Sequence, residues 1–110
     1  MKFNPLGGGA NMNQMMKQAK KLQEEITKKQ AELEEMILET SVGGGAITIK
    51  INGRQQFQEI MIKPEVVDPE DVDMLQDLIL AAVNEAVKQS QDMVSSEMAK
   101  LTGGFNIPGL

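Results

Sequence analysis

The sequence predicts an α/β chain of the segregated, α+β kind: a long N-terminal helix, a three-stranded antiparallel sheet and a long C-terminal helix. Three observations predict it. Apolar residues recur every seven positions from Met12 to Met36, branched residues then alternate with polar ones between glycine-bearing turns, and a broad apolar face with helical spacing runs from Val72 until Gly103-Gly104. The 110 residues suffice for one compact domain. Its expected span is 11–102, between a flexible tail at 1–10 and a Gly/Pro tail at 103–110.

The first helix is expected from about 11 to 35. Met12, Ala19, Ile26 and Leu33 share one position of the seven-residue repeat, and Met15, Leu22 and Met36 share the other, with Lys29 in the remaining slot. Such a narrow seam suits packing against another long helix. At 1.5 Å per residue this helix would be about 36 Å long, more than one small domain can cover, so part of it should meet a second subunit.

Beyond Met36, three strands fit between the turn signals Gly43-Gly44-Gly45 and Asn52-Gly53. In Ala46–Ile51 the residues Ile47, Ile49 and Ile51 alternate with Thr48 and Lys50, which gives one buried and one wet face. Asn52-Gly53 reads as a two-residue hairpin turn needing positive φ at Gly53, and the third strand is expected from about Arg54 to Lys63, stopped by Pro64. Asp68 is the expected cap of the last helix, with Pro69 in its first turn and Glu70 and Asp71 at the positive end of its dipole. Val72, Leu75, Leu78, Ile79, Ala82, Val83, Ala86 and Val87 form a face broad enough to lie on a sheet. Gln89-Ser90-Gln91-Asp92 leaves two forms open, one long helix or a kinked pair.

Composition removes many functions. The chain has no Cys and no His, which excludes disulfides, thiolate chemistry, Cys/His zinc sites and Ser-His or Cys-His catalysis. Gly43-Gly44-Gly45 precedes a strand and lacks the Lys-Ser/Thr pair of a phosphate loop. Glu65, Asp68, Glu70, Asp71 and Asp73 lack the glycine and spacing of a calcium loop, and read as capping residues. Met12, Met15 and Met16 read as packing residues and not as Cu(I) ligands. No enzyme, metal, cofactor or small-molecule substrate is expected. The longest apolar run, Leu78–Val83, is too short to cross a bilayer, and no secretory signal opens the chain, so a cytoplasmic location is expected.

The net charge of −5 is unevenly spread. Residues 1–31 hold six Lys against two Glu, whereas residues 64–110 hold two Lys against nine acids. A basic face can thus point one way and an acidic face another. The basic candidates are Lys17, Lys20, Lys21, Lys28 and Lys29 on the first helix, and Lys50 and Arg54 on the hairpin. Lys17, Lys21 and Lys28 fall within about 40° of one another on a helical wheel, opposite the apolar seam, where they can face a phosphate backbone. The same residues also fit a solvated helix laced by the four-residue pairs Lys20–Glu24, Lys21–Glu25, Glu24–Lys28 and Glu25–Lys29. By pattern alone the solvated face is the stronger reading. The only aromatics are Phe3, Phe57 and Phe105, too few for a base-stacking platform, so any nucleic acid bound would be duplex.

The sequence resembles the YbaB/EbfC family of bacterial nucleoid-associated proteins. The resemblance rests on Met12-Asn13-Gln14-Met15-Met16-Lys17-Gln18-Ala19, Gly43-Gly44-Gly45, Ile51-Asn52-Gly53, the stretch from Asp71 through Asn84 and Ala86, Thr102-Gly103-Gly104 and Ile107-Pro108-Gly109, in that order and spacing. It implies a homodimer with projecting helical arms that binds duplex DNA, alters its shape and helps organise the nucleoid, with effects on gene expression, and it implies no cofactor. It also reverses the weighting of the lysine patch as a whole, toward DNA contact through phosphates with little sequence readout. The competing reading is a protein-binding helical adapter or chaperone-like module that grips partners through its Met-rich seam, and binding that persists in high salt would favour it.

Overall fold

The computed structural model describes residues 5–102, with side chains from Met12 onward. The expected tail at 103–110 and residues 1–4 of the other lie outside the described residues. The elements are α1 (Pro5–Glu35), β1 (Ile37–Val42), β2 (Ile47–Asn52), β3 (Phe57–Ile62), a single 3-10 turn (Pro64–Val66) and α2 (Val72–Leu101). The helix–sheet–helix order is the expected one. α1 begins at Pro5, about two turns before the expected start, because Pro, with φ already near the helical value, suits a first turn and glycines only weaken a helix.

The sheet is an antiparallel meander in the order β1-β2-β3. Its register puts Thr40 opposite Ile49 and Ile49 opposite Ile60, so alternation sends Ile47, Ile49 and Ile51 to one face. Those three isoleucines are fully buried against Ala82 and Ala86 of α2, whose small side chains let the helix approach closely. The other face is mainly polar: Lys50 pairs with Glu59 at 3.5 Å, and the Ser41 and Thr48 hydroxyls bond at 2.9 Å, with Ile37 and Met61 exposed among them. α2 lies across β1 and β2. Along β3, Phe57 and Ile60 point to the same side as the core isoleucines yet stay about half exposed.

Two expected turns take different forms. Gly43, Gly44 and Gly45 all have positive φ, at 63°, 67° and 91°, so the β1–β2 turn needs glycine on backbone grounds. The β2–β3 connection is not the two-residue turn expected at Asn52-Gly53. It is a three-residue loop, Gly53 to Gln55, closed by Gln55 N–H donating to the Asn52 carbonyl at 3.1 Å, and the positive φ, 59°, falls on Gln55. The Asn52 side chain stabilises this longer loop by accepting from the amides of Arg54 at 2.9 Å and Gln56 at 3.0 Å. β3 therefore starts at Phe57 and not near Arg54, and a bulge at Gln58 restores the register.

The cap of α2 is also displaced. Asp68 accepts from Glu70 N–H at 2.9 Å and forms the preceding turn, while Asp71 caps the helix by accepting from Met74 N–H at 3.2 Å. Pro69 explains the shift: it holds the chain in a turn, and Asp71 is the next acceptor before the apolar periodicity starts. Asp71→Ala is expected to destabilise the fold by about 1 kcal/mol, the usual worth of a cap, measured by urea unfolding, with Asp68→Ala costing less. α2 then runs unbroken to Leu101, because Ser90 is an internal anchor and not a kink: buried, it donates to the Asn52 carbonyl at 2.7 Å and accepts from Gln55 Nε2 at 3.0 Å.

Both helices extend past the sheet. Leu33 of α1 is fully buried where the α1 backbone meets Gly53, and Ser90 of α2 meets Asn52 beside it. Outward from this level, Leu22, Ile26 and Lys29 of α1 and Met93, Val94, Glu97, Met98 and Leu101 of α2 are half-buried, as the two helices pack on each other. Leu22 and Leu101 each lie eleven residues beyond the pivot, about 16 Å at 1.5 Å per residue, so α2 ends level with Leu22. The rest of α1 projects alone, and the molecule measures 85 × 24 × 16 Å.

Candidate nucleic-acid interface

The apolar seam fixes which way the α1 lysines face. Leu22, Ile26 and Leu33 turn toward α2, so helical spacing places Lys17, Lys21 and Lys28 on the outer side and Lys20 at its flank. Lys29 sits on the half-buried side toward α2, as its place in the seam implies, and is the least suited of the five to meet a polyanion. None of these five lysines forms an ion pair among the described residues, and the four-residue Lys/Glu pairs that the sequence allows are not made. Long side chains in water gain too little from such pairing to hold one geometry.

Charge along α1 is not uniform. From Met12 to Gln23 there are three lysines and no acid, while from Glu24 to Glu35 two lysines face five glutamates. The uncompensated positive charge therefore lies on the projecting part, with Lys17, Lys20 and Lys21, farthest from the acidic α2. Lys28 lies on the same outer side but among Glu24, Glu25 and Glu32.

The hairpin candidates are in a different position. Lys50 pairs with Glu59 on the polar face of the sheet, and Arg54 Nε lies 3.5 Å from Glu34 at the end of α1. The fold brings Arg54 to the base of the arm, but it does not gather Lys50 and Arg54 with the outer lysines into one patch. On α2, Lys88 pairs with Asp92 at 3.2 Å and Lys100 with Glu97 at 3.4 Å. The Asp92 hydrogen bond and the charges of Asp92 and Glu85 hold the Lys88 ammonium above its ordinary pKa.

Sequence reasoning did not find a groove of about 400 Å3 beside β3, lined by Ile49, Phe57, Ile60 and Val83 with the stems of Gln58 and Glu59. Its signal was the apolar character of Phe57 and Ile60. That signal only reads as a surface once α2 is seen to cover the two other strands. The described residues contain no cluster of acidic residues able to hold a metal ion, and no described helix is long and apolar enough to cross a membrane.

Comparison with known proteins agrees with this architecture. A nucleoid-associated protein of Alkaliphilus metalliredigens is 61% identical over 108 residues, covering 98% of this chain and 95% of the relative. One from Clostridium kluyveri is 55% identical over the same shares of both chains. The crystal structure of an uncharacterized protein from Helicobacter pylori has the same fold, with a TM-score of 0.64 over 94% of this chain and 99% of that one, at 19% identity. The sequence profile of the YbaB/EbfC DNA-binding family, which is not a family of enzymes, matches residues 8–105. With nearly its whole length so matched, the chain belongs to the YbaB/EbfC DNA-binding family.

Proposed function

We propose that this protein is a nucleoid-associated protein of the cytoplasm that binds duplex DNA as a homodimer, through lysine–phosphate contacts with little sequence specificity. The observation that carries the reading is the projecting stretch of α1, where Lys17, Lys20 and Lys21 form no ion pair among the described residues and Lys17 has no acid three or four positions away. A chain of net charge −5 can approach a polyanion only where local charge outweighs the general repulsion, and this arm is such a place. Lysine is a point charge on a flexible stem and holds phosphate without reading bases, which supports low specificity. Arg54, the only arginine, is engaged with Glu34 and not poised as a guanine reader. Lys28 extends the contact along the outer side of α1, while Lys29, Lys50 and Arg54 contribute less. Two arms on one dimer would hold DNA at two places and so alter its path.

The homodimer is supported by the uncovered part of the sheet. Phe57 and Ile60, 49% and 48% exposed, line a groove continuous with the core at Ile49 and Val83. A second copy presenting the same surface would cover both grooves at once. Light scattering at micromolar concentration is expected to give twice the chain mass of 12.1 kDa, and Ile60→Asp to shift the mass toward the monomer.

The test of DNA binding is a titration with duplexes of unrelated sequence at two salt concentrations. Similar affinities and a steep loss with salt are expected. Affinity that persists at high salt would instead support the protein-binding adapter.

A further inference from the structure

The seam of α1 continues past Leu22, where α2 ends, through Ala19 and Met15 to Met12. All three are exposed, Met12 and Met15 at 62% and 68%, so nothing among the described residues covers them. A groove of about 360 Å3 lies along this stretch, lined by Met15, Gln18, Ala19, Leu22, Gln23 and Ile26, with no charged residue among them.

We infer that this stretch is a second self-association surface, on which the same stretch of another copy docks, separately from the contact over β3. The repeat of Met12, Met15, Ala19 and Leu22 is the pattern by which two helices pack along a seam, and two identical stretches satisfy it from both sides. Charges at the positions flanking such a seam often select the partner. Here those positions hold Met16, Gln18 and Gln23, whereas nearer the sheet, where α2 covers the seam, they include Glu25 and Glu32. The fitting partner is therefore a helix without charges beside its own seam, and a second α1 is one. Lys17, Lys20 and Lys21 occupy the three remaining positions of the repeat, on the outer side. Two positively charged arms can thus meet seam to seam with their lysines pointing apart. The surface is also remote from the β3 groove. Leu22 and Met12 lie about 16 and 32 Å out along the arm from Leu33 at 1.5 Å per residue, while Phe57 pairs with Ile51 and Ile60 with Ile49, on the sheet side of that level. A seam three turns long is small beside the surfaces of stable complexes, so docking here sets in as the protein is concentrated. Copies joined at both surfaces form assemblies larger than a dimer.

Disulfide trapping tests it, because the chain has no Cys and an introduced thiol is the only one present. Met15→Cys and Ala19→Cys put that thiol on the seam, and Gln14→Cys, about 100° or more from either around the helix, puts it on the outer side as the control. In the concentrated full chain under mild oxidation, the seam variants are expected to link several-fold faster than the control, alone if the arms pair in parallel and mixed with each other if they pair antiparallel. Light scattering of the linked product should give a mass above that of the dimer. Raising the salt concentration should speed linking, because it screens the repulsion between two lysine-bearing arms. The same linking should persist when Ile60→Asp is added, which separates this contact from the one over β3. Seam thiols that link no faster than Gln14→Cys would overturn the inference. So would slower linking at high salt, since charge and not the seam would then draw the copies together. Loss of linking in an Ile60→Asp chain that keeps its helical circular dichroism would overturn it as well, by making the arm contact a consequence of the β3 dimer. None of these measurements includes DNA, so the outcome is independent of whether the arm binds it.

Discussion

Replacing Lys17, Lys20 and Lys21 together by Gln is expected to weaken binding to all duplex sequences alike and to flatten its salt dependence. Every lysine–phosphate interaction removed lowers the slope of log K against log salt by about 0.9, so one arm accounts for about 2.7 and the two arms of a dimer for about 5.4. The deficit of the variant then grows, for each halving of the salt concentration, about sixfold where one arm of the dimer engages the DNA and about fortyfold where both do. The control is Lys88→Gln with Lys100→Gln. It also makes the chain more negative, but both lysines are paired with acids on α2. If both variants lose the same affinity and slope, net charge and not the arm governs binding. If the triple variant remains folded and binds unchanged, the outer face of α1 is a solvated surface, and the DNA site must be sought at Lys50 and Arg54.

Gly53→Ala is expected to cost about 3 kcal/mol or more, at the upper end of what overpacking usually costs. A Cβ on Gly53 would overlap the carbonyl oxygen of Leu33 and lie 2.7 Å from the Leu33 carbonyl carbon and 3.2 Å from Glu34 Cα. These are backbone atoms of α1, fixed by the fully buried Leu33 side chain, so no rotamer change relieves the overlap. The sign of the effect is informative. φ at Gly53 is outside the left-handed region, so on conformational grounds alanine would stabilise by about 0.4–1 kcal/mol through the unfolded chain. Gly44 is the converse case, with φ of 67° and open space around it, so Gly44→Ala should cost only about 1 kcal/mol of left-handed backbone energy. Urea unfolding of the two variants measures both. A Gly53→Ala protein as stable as the parent would mean that α1 does not enter the sheet where Leu33 and Gly53 meet.

The same pair of residues shows where reading the sequence stops. Asn52-Gly53 marks a turn correctly, because these residues favour turns whatever surrounds them. Its form depended on the Asn52 side chain bonding the Arg54 and Gln56 amides, and the need for glycine came from a helix some twenty residues earlier in the chain. Asp68 and Asp71 are equally good acceptors locally, and only the path of the chain after Pro69 chose between them.

What the sequence determined by itself was the succession of elements and the inward residues of each. Ile47, Ile49 and Ile51 alternate, Ala82 and Ala86 recur one helical turn apart, and both periods are local properties of a regular backbone. The charge segregation that makes α1 the basic end is likewise a matter of composition. Tertiary structure alone decided that the two hairpin cations are paired with acids, because that pairing depends on distances between elements: Arg54 to Glu34, Lys50 to Glu59. It also decided that the seam splits at Leu22. The same heptad pattern continues on both sides of that residue, buried against α2 on one side and open on the other, since periodicity states which face is apolar and only the length of the neighbouring helix states how far that face is covered.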